Sequence, residues 1–325
     1  MSAAASGQHR PGGTPPGLSV VVPVFNEQEI LPELERRFGA ALEGVEGGFE
    51  IVYVDDGSSD DSAAMIEAQA REDPRIVLVQ LSRNFGMDIA MSAGLEFASG
   101  DYVALVHADL QDPPELLPEM LERAHQGADV VYARRIGSDE SVVKRVLATA
   151  FYRLMERLAR TPFQGQAGDF RLMSRRVVQM VTEMPERRRF LRAMVAWVGY
   201  EQVPIEYRRA GRYGGRGVSY AALLRLAFEA LTSFSDVPLS LASWFGSAIA
   251  VLAAIAALVI LLLTALGAVT ASIGLWVLIS VLFLGGVQLI SVGILGRYLG
   301  RVHEQVLGRP LYIVARVVAA DGRAR

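Results

Sequence analysis

From Tyr102 to Glu115 the chain reads YVALVHADLQDPPE. An apolar, strand-like run, Tyr102–Val106, empties into Asp109, Gln111 and Asp112, with His107 beside them and Pro113-Pro114 after them. Open α/β sheets bind their ligands at the carboxyl ends of buried strands, where such a cluster would lie. Two carboxylates, an amide oxygen and an imidazole make a hard donor set that suits Mg2+ or Mn2+ holding a diphosphate. The plainer alternative is that the acidic residues cap a helix starting near Glu115.

The elements that must position this cluster follow from hydrophobic patterning. Leu18–Val24 (LSVVVPV) is a continuous apolar run, the mark of a strand covered on both faces. It ends in Pro23-Val24-Phe25-Asn26-Glu27, before helical spacing over Glu29–Leu42. Phe49–Val54 repeats the pattern and ends in Asp55–Asp60 (DDGSSD), with a helix to about Arg71. Arg75–Leu81 predicts a third strand, then the turn Ser82–Gly86 (SRNFG) and a helix over Asp88–Ala98. Asp101–Val106 and Asp129–Ala133 predict a fourth and a fifth; Gly168–Leu172 (GDFRL) and Glu201–Arg208 start further short strands. Strands alternating with helices specify a doubly wound, mostly parallel α/β sheet, and right-handed crossovers put the strand ends on one rim. Glu27, Asp55, Asp56 and Asp109 then line one crevice. No GxGxxG or GxxxxGK[ST] follows any strand, so a dinucleotide fingerprint and a P-loop are unsupported.

The chain has 325 residues, 51% of them hydrophobic, no cysteine and a formal net charge of -3. The cysteine count excludes disulfides and thiolate metal sites, and the charge argues against nucleic acid as a partner. A mean hydropathy of +0.29 points to lipid around part of the chain. Residues 1–17 read as a disordered leader without a signal peptide's apolar core. Val142–Arg160 is a basic amphipathic helix, either interfacial or an ordinary surface helix; Tyr220–Phe234 is a second amphipathic helix. Between them, Arg209–Gly217 is a glycine-rich basic loop able to close over an anion. Residues 219–243 lead into two uncharged stretches, Trp244–Leu266 and Gly274–Gly296, each near the roughly 20 residues that cross a bilayer. The alternative is a buried core hairpin. Arg297, Arg301, Arg309 and Arg316 follow, so the positive-inside rule puts a basic tail, 297–325, and the first domain in the cytoplasm, with two spans in the inner membrane. Gly285, Gly286, Gly293 and Gly296 suit close helix packing, within a chain or in a homo-oligomer.

Taken together, PVFNE, DDGSSD, SRNFG, ADLQDPPE and GDFRL, with the ending RYLGRVHEQVLGRPLYIV, closely resemble the family 2 glycosyltransferases of GT-A fold. Within them the chain is similar to polyprenyl-phosphate glycosyltransferases such as dolichyl-phosphate mannose synthase, and to bacterial undecaprenyl-phosphate glucosyltransferases with two C-terminal spans. The resemblance covers Leu18 to about Val318 and implies a catalytic domain over 18–218. It implies an inverting transfer from a nucleotide-sugar donor, UDP-glucose ahead of GDP-mannose or UDP-GlcNAc, to a polyprenyl phosphate in the bilayer. Nucleotide-sugar contacts would map to Pro23, Phe25, Glu27, Val54, Asp56, His107, Ala108 and Asp109, and the metal to Asp109 and Gln111. Cations for the acceptor phosphate and diphosphate would be Arg134, Lys144, Arg145, Arg171 and Arg212. Asp169 would be a base or an orienting carboxylate, while Asp112 falls to helix capping. Flipping the product would need a separate protein.

Three positions depart from the family's pattern. His107 stands where it commonly has Asp, Met87 where a basic residue often follows NFG, and Val218 near where a lysine often sits. These departures leave two rivals in play, transfer to another lipid acceptor and a non-catalytic nucleotide-sugar-binding membrane subunit.

Overall fold

Along the first strand, β1 (Leu18–Val24), Leu18, Val20, Val22 and Val24 enter one core cluster while Val21 enters another, so the strand is covered on both faces. The computed structural model describes residues 15–135, 167–187, 189–207 and 273–320, with positions 255, 259 and 266. The expected helices over 142–160 and 220–234, and nearly all of the stretch 244–266, lie outside the described residues.

The first compact unit takes in residues 1–156, 160–217 and 310–325. Its elements after β1 are α1 (Leu31–Leu42), β2 (Phe49–Asp55), α2 (Ser62–Glu72), β3 (Ile76–Leu81), α3 (Met87–Phe97) and β4 (Tyr102–Leu105). Then come α4 (Leu117–His125), β5 (Val130–Arg135), β6 (Ala167–Ser174), α5 (Arg175–Glu183), α6 (Leu191–Val198) and β7 (Gln202–Tyr207). A final strand, β8 (Val314–Val318), completes the sheet in the order β7-β5-β6-β4-β1-β2-β3-β8. One core cluster holds the apolar faces of α1, α2 and α4, and the second those of α3, α5 and α6. Helices therefore cover both faces of the sheet, as in a doubly wound α/β domain.

The sheet is mixed where the sequence predicts one mostly parallel. Strand β1 pairs in parallel with β2 and β4, β2 with β3, and β5 with β7. Strand β6 runs antiparallel between β4 and β5, and β8 runs antiparallel to β3. The physical consequence is a shared rim. Strands β1 to β5 and β7 end on it, and β6, running the other way, begins on it, which brings Asp169 to the carboxyl ends of β1, β2 and β4.

Strand β8 falls within the expected tail. The β-branched run around Val314–Val318 pairs with β3, and Arg316 reaches Gln80 (Nε to Oε1, 2.6 Å) and Glu67 (2.6 Å). At the other end of the chain the expected leader overlaps the fold, because the Pro16 and Gly17 carbonyls accept from the Asp101 and Tyr102 amides.

The edge opposite the rim is closed by a buried polar knot. Glu50, 2% exposed, accepts from the Ser19 hydroxyl (2.6 Å) and from the Ser99 amide and hydroxyl (2.6 and 2.8 Å). Arg175 caps the Ala98 and Gly100 carbonyls beside it. Such a carboxylate satisfies donors that water cannot reach.

The second unit comprises residues 157–159 and 218–309. Its described part is essentially α7 (Ile273–Val306), 34 residues and so roughly 51 Å long. Several of its side chains are not described, and among the described residues no helix is both long and apolar enough to cross a membrane.

Replacing Glu50 by Ala removes the acceptor of the buried Ser19 hydroxyl and of two part-buried Ser99 donors, and lowers the unfolding free energy of the full chain by about 1–3 kcal/mol. Thermal unfolding measures this, and an unchanged Tm contradicts it.

Candidate active site

The loops after β1 and β2 are fastened to each other. The Asn26 amide donates to Ser58 Oγ (3.0 Å), and Asn26 Oδ1 accepts from the Ser59 amide (2.8 Å). The Glu27 amide donates to Ser62 Oγ (2.9 Å), and Gln28 and Asp60–Asp61 exchange two further bonds. Asn26 holds a left-handed backbone (φ 56), which an asparagine tolerates better than most residues. Phe25 is left 46% exposed at the loop's tip.

Asp56 is buried, and its two carboxylate oxygens accept from the Phe85 and Gly86 amides (2.7 and 2.8 Å). Burial pushes this carboxyl above its ordinary value, against the pull of those amides. Asp55 takes the Ser58 amide and the Gln80 side chain (3.1 and 3.0 Å). Gly57 makes the join possible. Its φ is +73, and a Cβ there would fall 2.6 Å from the Arg83 backbone. The DDGSSD and SRNFG loops thus form one surface.

After β4 the chain turns at Leu110, whose φ of 57 is strained for a branched residue, as at many functional loops. Asp109, half-exposed, accepts from the Gln111 amide (3.2 Å). Gln111 is 2% exposed, and its Nε2 has no hydrogen-bond partner. Asp112, expected to cap a helix, turns to the rim. It is buried, lies 3.2 Å from His107 Nδ1, and accepts from the Tyr207 hydroxyl (3.3 Å). His107 Nε2, buried and without a hydrogen-bond partner, lies 4.0 Å from Asp169 Oδ2.

Asp169 is forked by Arg192, which donates from Nε to Oδ1 (3.1 Å) and from its terminal nitrogen to Oδ2 (2.8 Å). Burial pushes the Asp169 carboxyl up, but Arg192, helped by Arg171 and His107, reverses this and leaves it below the ordinary carboxylate value. Arg171, expected among the acceptor cations, is buried instead and donates to the Gly168 and Asp169 carbonyls (2.9 and 3.3 Å). Burial lowers its pKa to about 10, so it stays charged at neutral pH. Among the described residues no group of three or more His, Asp or Glu side chains forms a ready metal cage.

The rim therefore gathers Pro23, Phe25, Glu27, Asp56, His107, Ala108, Asp109, Gln111 and Asp169. Val54 is fully buried, with its backbone paired to Pro23 and Val79. Arg134, at the end of β5, is half-buried in an ion pair with Glu206. Lys144, Arg145 and Arg212 lie outside the described residues. Two further rim residues carry no signal in the sequence: Arg192 reads as one more charge in the basic run RRRFLR, and Tyr207 as an ordinary strand residue.

Residues 19–181 match the model of glycosyl transferase family 2. An uncharacterized glycosyltransferase of Synechocystis sp. is 40% identical over 300 residues, 92% of this chain and 94% of its own. The chain belongs to glycosyl transferase family 2. The chain is a sugar-transferring enzyme built on the mixed α/β sheet described above. This transferase is also 40% identical to the prophage bactoprenol glucosyl transferase homolog of Escherichia coli, over 92% of this chain and 99% of that one. It is 36% identical to undecaprenyl-phosphate 4-deoxy-4-formamido-L-arabinose transferase of Klebsiella pneumoniae, over 93% of each.

Arg192→Gln removes the partner that offsets burial, so the Asp169 pKa rises. Because the native pKa is depressed, the pair's stabilisation is present above about pH 4 and is lost as pH falls through the native value. At pH 7 the variant is less stable by up to about 3 kcal/mol, and the gap closes below pH 4. Unfolding measured from pH 3 to 8 checks this; a gap independent of pH contradicts it.

Proposed function

We propose that this transferase moves a sugar from a nucleoside-diphosphate donor, UDP-glucose first among them, to a polyprenyl phosphate, with inversion at the anomeric carbon. The printed activities of the relatives, on bactoprenol and undecaprenyl phosphate, support the acceptor class. The observation that carries the proposal is the state of Asp169. A carboxylate held below its ordinary pKa by an arginine fork is a poor proton acceptor. That suits an acceptor phosphate already ionised at neutral pH and weighs against a lipid hydroxyl, which needs a base. Asp169 then orients, and its charge keeps Arg192 and Arg171 at the rim.

Donor contacts fall to the fastened loops: Phe25 and Glu27 from the first, Asp56 through the surface it shapes, and the Val54 and Ala108 backbone beneath. His107, braced at Nδ1 by Asp112, offers Nε2 to a sugar hydroxyl or phosphate oxygen. Arg134, with Lys144, Arg145 and Arg212 from the sequence, supplies cations for the phosphates.

The donor set fits a divalent ion brought in with the substrate, because Asp112 and Asp169 are committed to protein partners while Asp109 is half-exposed. Mg2+ is commonly held by one or two carboxylates plus phosphate and water oxygens, and Mn2+ takes the same oxygen donors. Asp109, with Gln111 beside it, would hold the ion, which when bound would neutralise charge left on the nucleoside diphosphate.

Membrane attachment through 244–266 and 274–296 is supported by their uncharged sequences, by the length of α7 and by β8. Since β8 rejoins the sheet, the chain between β7 and β8 must cross a bilayer an even number of times, and a two-span hairpin meets that condition. The arginines after the second span favour the cytoplasmic face of the inner membrane. Self-association through the glycines of the second span, and a separate flippase for the product, complete the proposal.

Membranes carrying the protein, given undecaprenyl phosphate, Mg2+ or Mn2+ and labelled UDP-glucose, GDP-mannose or UDP-GlcNAc, should yield lipid-linked label from one donor. Asp109→Ala should lower that yield about a hundredfold or more. No lipid-linked label from any donor, or full activity in the variant, contradicts the assignment.

A further inference from the structure

Asp88 stands just after the NFG turn, in the first turn of α3, yet it caps nothing: the helix begins at Gly86 with no side-chain capping bond. Its carboxylate instead crosses to another element. Oδ1 accepts the amide of Leu191 (3.3 Å), the first residue of α6 and 103 positions along the chain. The next residue, Arg192, is the one that forks Asp169. On its other side Asp88 is joined through Gly86 and Phe85 to the two oxygens of Asp56. One line of bonds therefore runs from the end of β2, through the NFG turn, to the start of α6 and on to Asp169 beside His107.

We propose that Asp88 is a positioning residue for sugar transfer. By holding the Leu191 amide, its carboxylate fixes the first turn of α6, and so the Arg192 fork that orients Asp169. This role rests on the rim being the transfer site. An N–H bond to an ionised carboxylate is shorter and roughly twice as strong as one to a neutral acceptor, so the charge on Asp88 matters to the hold.

Among the described residues, the charged and titratable groups that face Asp88 are Asp169 and Arg171 from β6, Arg192 from α6 and His107 after β4. Burial raises its carboxyl to about 6. The Leu191 amide, Arg192 and His107 oppose that rise, and Asp169 adds to it. Asp88 is consequently ionised at pH 7.5 and largely protonated at pH 5, which makes its contribution readable in a pH profile.

Asp88→Asn keeps an oxygen for the Leu191 amide but no charge, and Asp88→Ala removes both. With the donor that the wild type uses and undecaprenyl phosphate, Asp88→Ala should lower kcat about a hundredfold, the scale of a misplaced catalytic group. Its donor KM should stay within about twofold, because the donor loops keep their own bonds. Asp88→Asn should fall between the wild type and Asp88→Ala in kcat at pH 7.5, and its kcat should rise less through pH 6 than the wild type's, since only the acceptor phosphate then ionises there. Wild-type kcat in both variants, or a pH profile of Asp88→Asn parallel to the wild type's, overturns the role of Asp88. A wild type that labels no lipid from any donor overturns the proposed function itself.

Discussion

The Asp169–Arg192 fork is the interaction that allows the rim to exist. Asp56, Asp88, Asp109, Asp112 and Asp169 all gather near the ends of β2 and β4 and the start of β6, largely out of water. Unpaired, such charges would take up protons or push the strand ends apart. The fold compensates each in its own way. Backbone amides hold Asp56, His107 and Tyr207 hold Asp112, and Arg192 with buried Arg171 holds Asp169. Asp109 is left half-exposed toward whatever the rim binds.

Much of this was visible in the chain before folding was considered. Leu18–Val24, Phe49–Val54 and Ile76–Leu81 are apolar on both faces, a pattern only a doubly covered sheet satisfies, and their polar ends had to share an edge. What patterning could not give was strand direction. The antiparallel entry of β6 depends on which edge the chain from β5 returns to, and no local spacing encodes that. The same holds for β8, whose short run followed a long apolar helix and read as a tail. Side-chain partnerships were hidden too. Asp112 before two prolines looked like a cap, and Arg171 in GDFRL looked like a surface cation, because sequence shows composition around a residue and not depth.

Direction and depth also carry the functional distinction. Had β6 run parallel, Asp169 would lie at the far edge of the sheet, about the length of a strand from Asp109. With β6 reversed, it lies beside His107. The return of β8 to β3 has a comparable reach, since it ties the segment after α7 to the same sheet as the rim loops.

The central claim is that the fastened loops and the β4 end form the donor site. A photoreactive azido analogue of the donor nucleotide sugar, cross-linked to the full chain and mapped by peptide mass spectrometry, tests it most directly. The account predicts label on peptides carrying Phe25–Gln28, Asp56–Ser62 or His107–Gln111, suppressed by unlabelled donor. Competable label confined to the opposite edge of the sheet, around Glu50, Ser99 and Arg175, would contradict it.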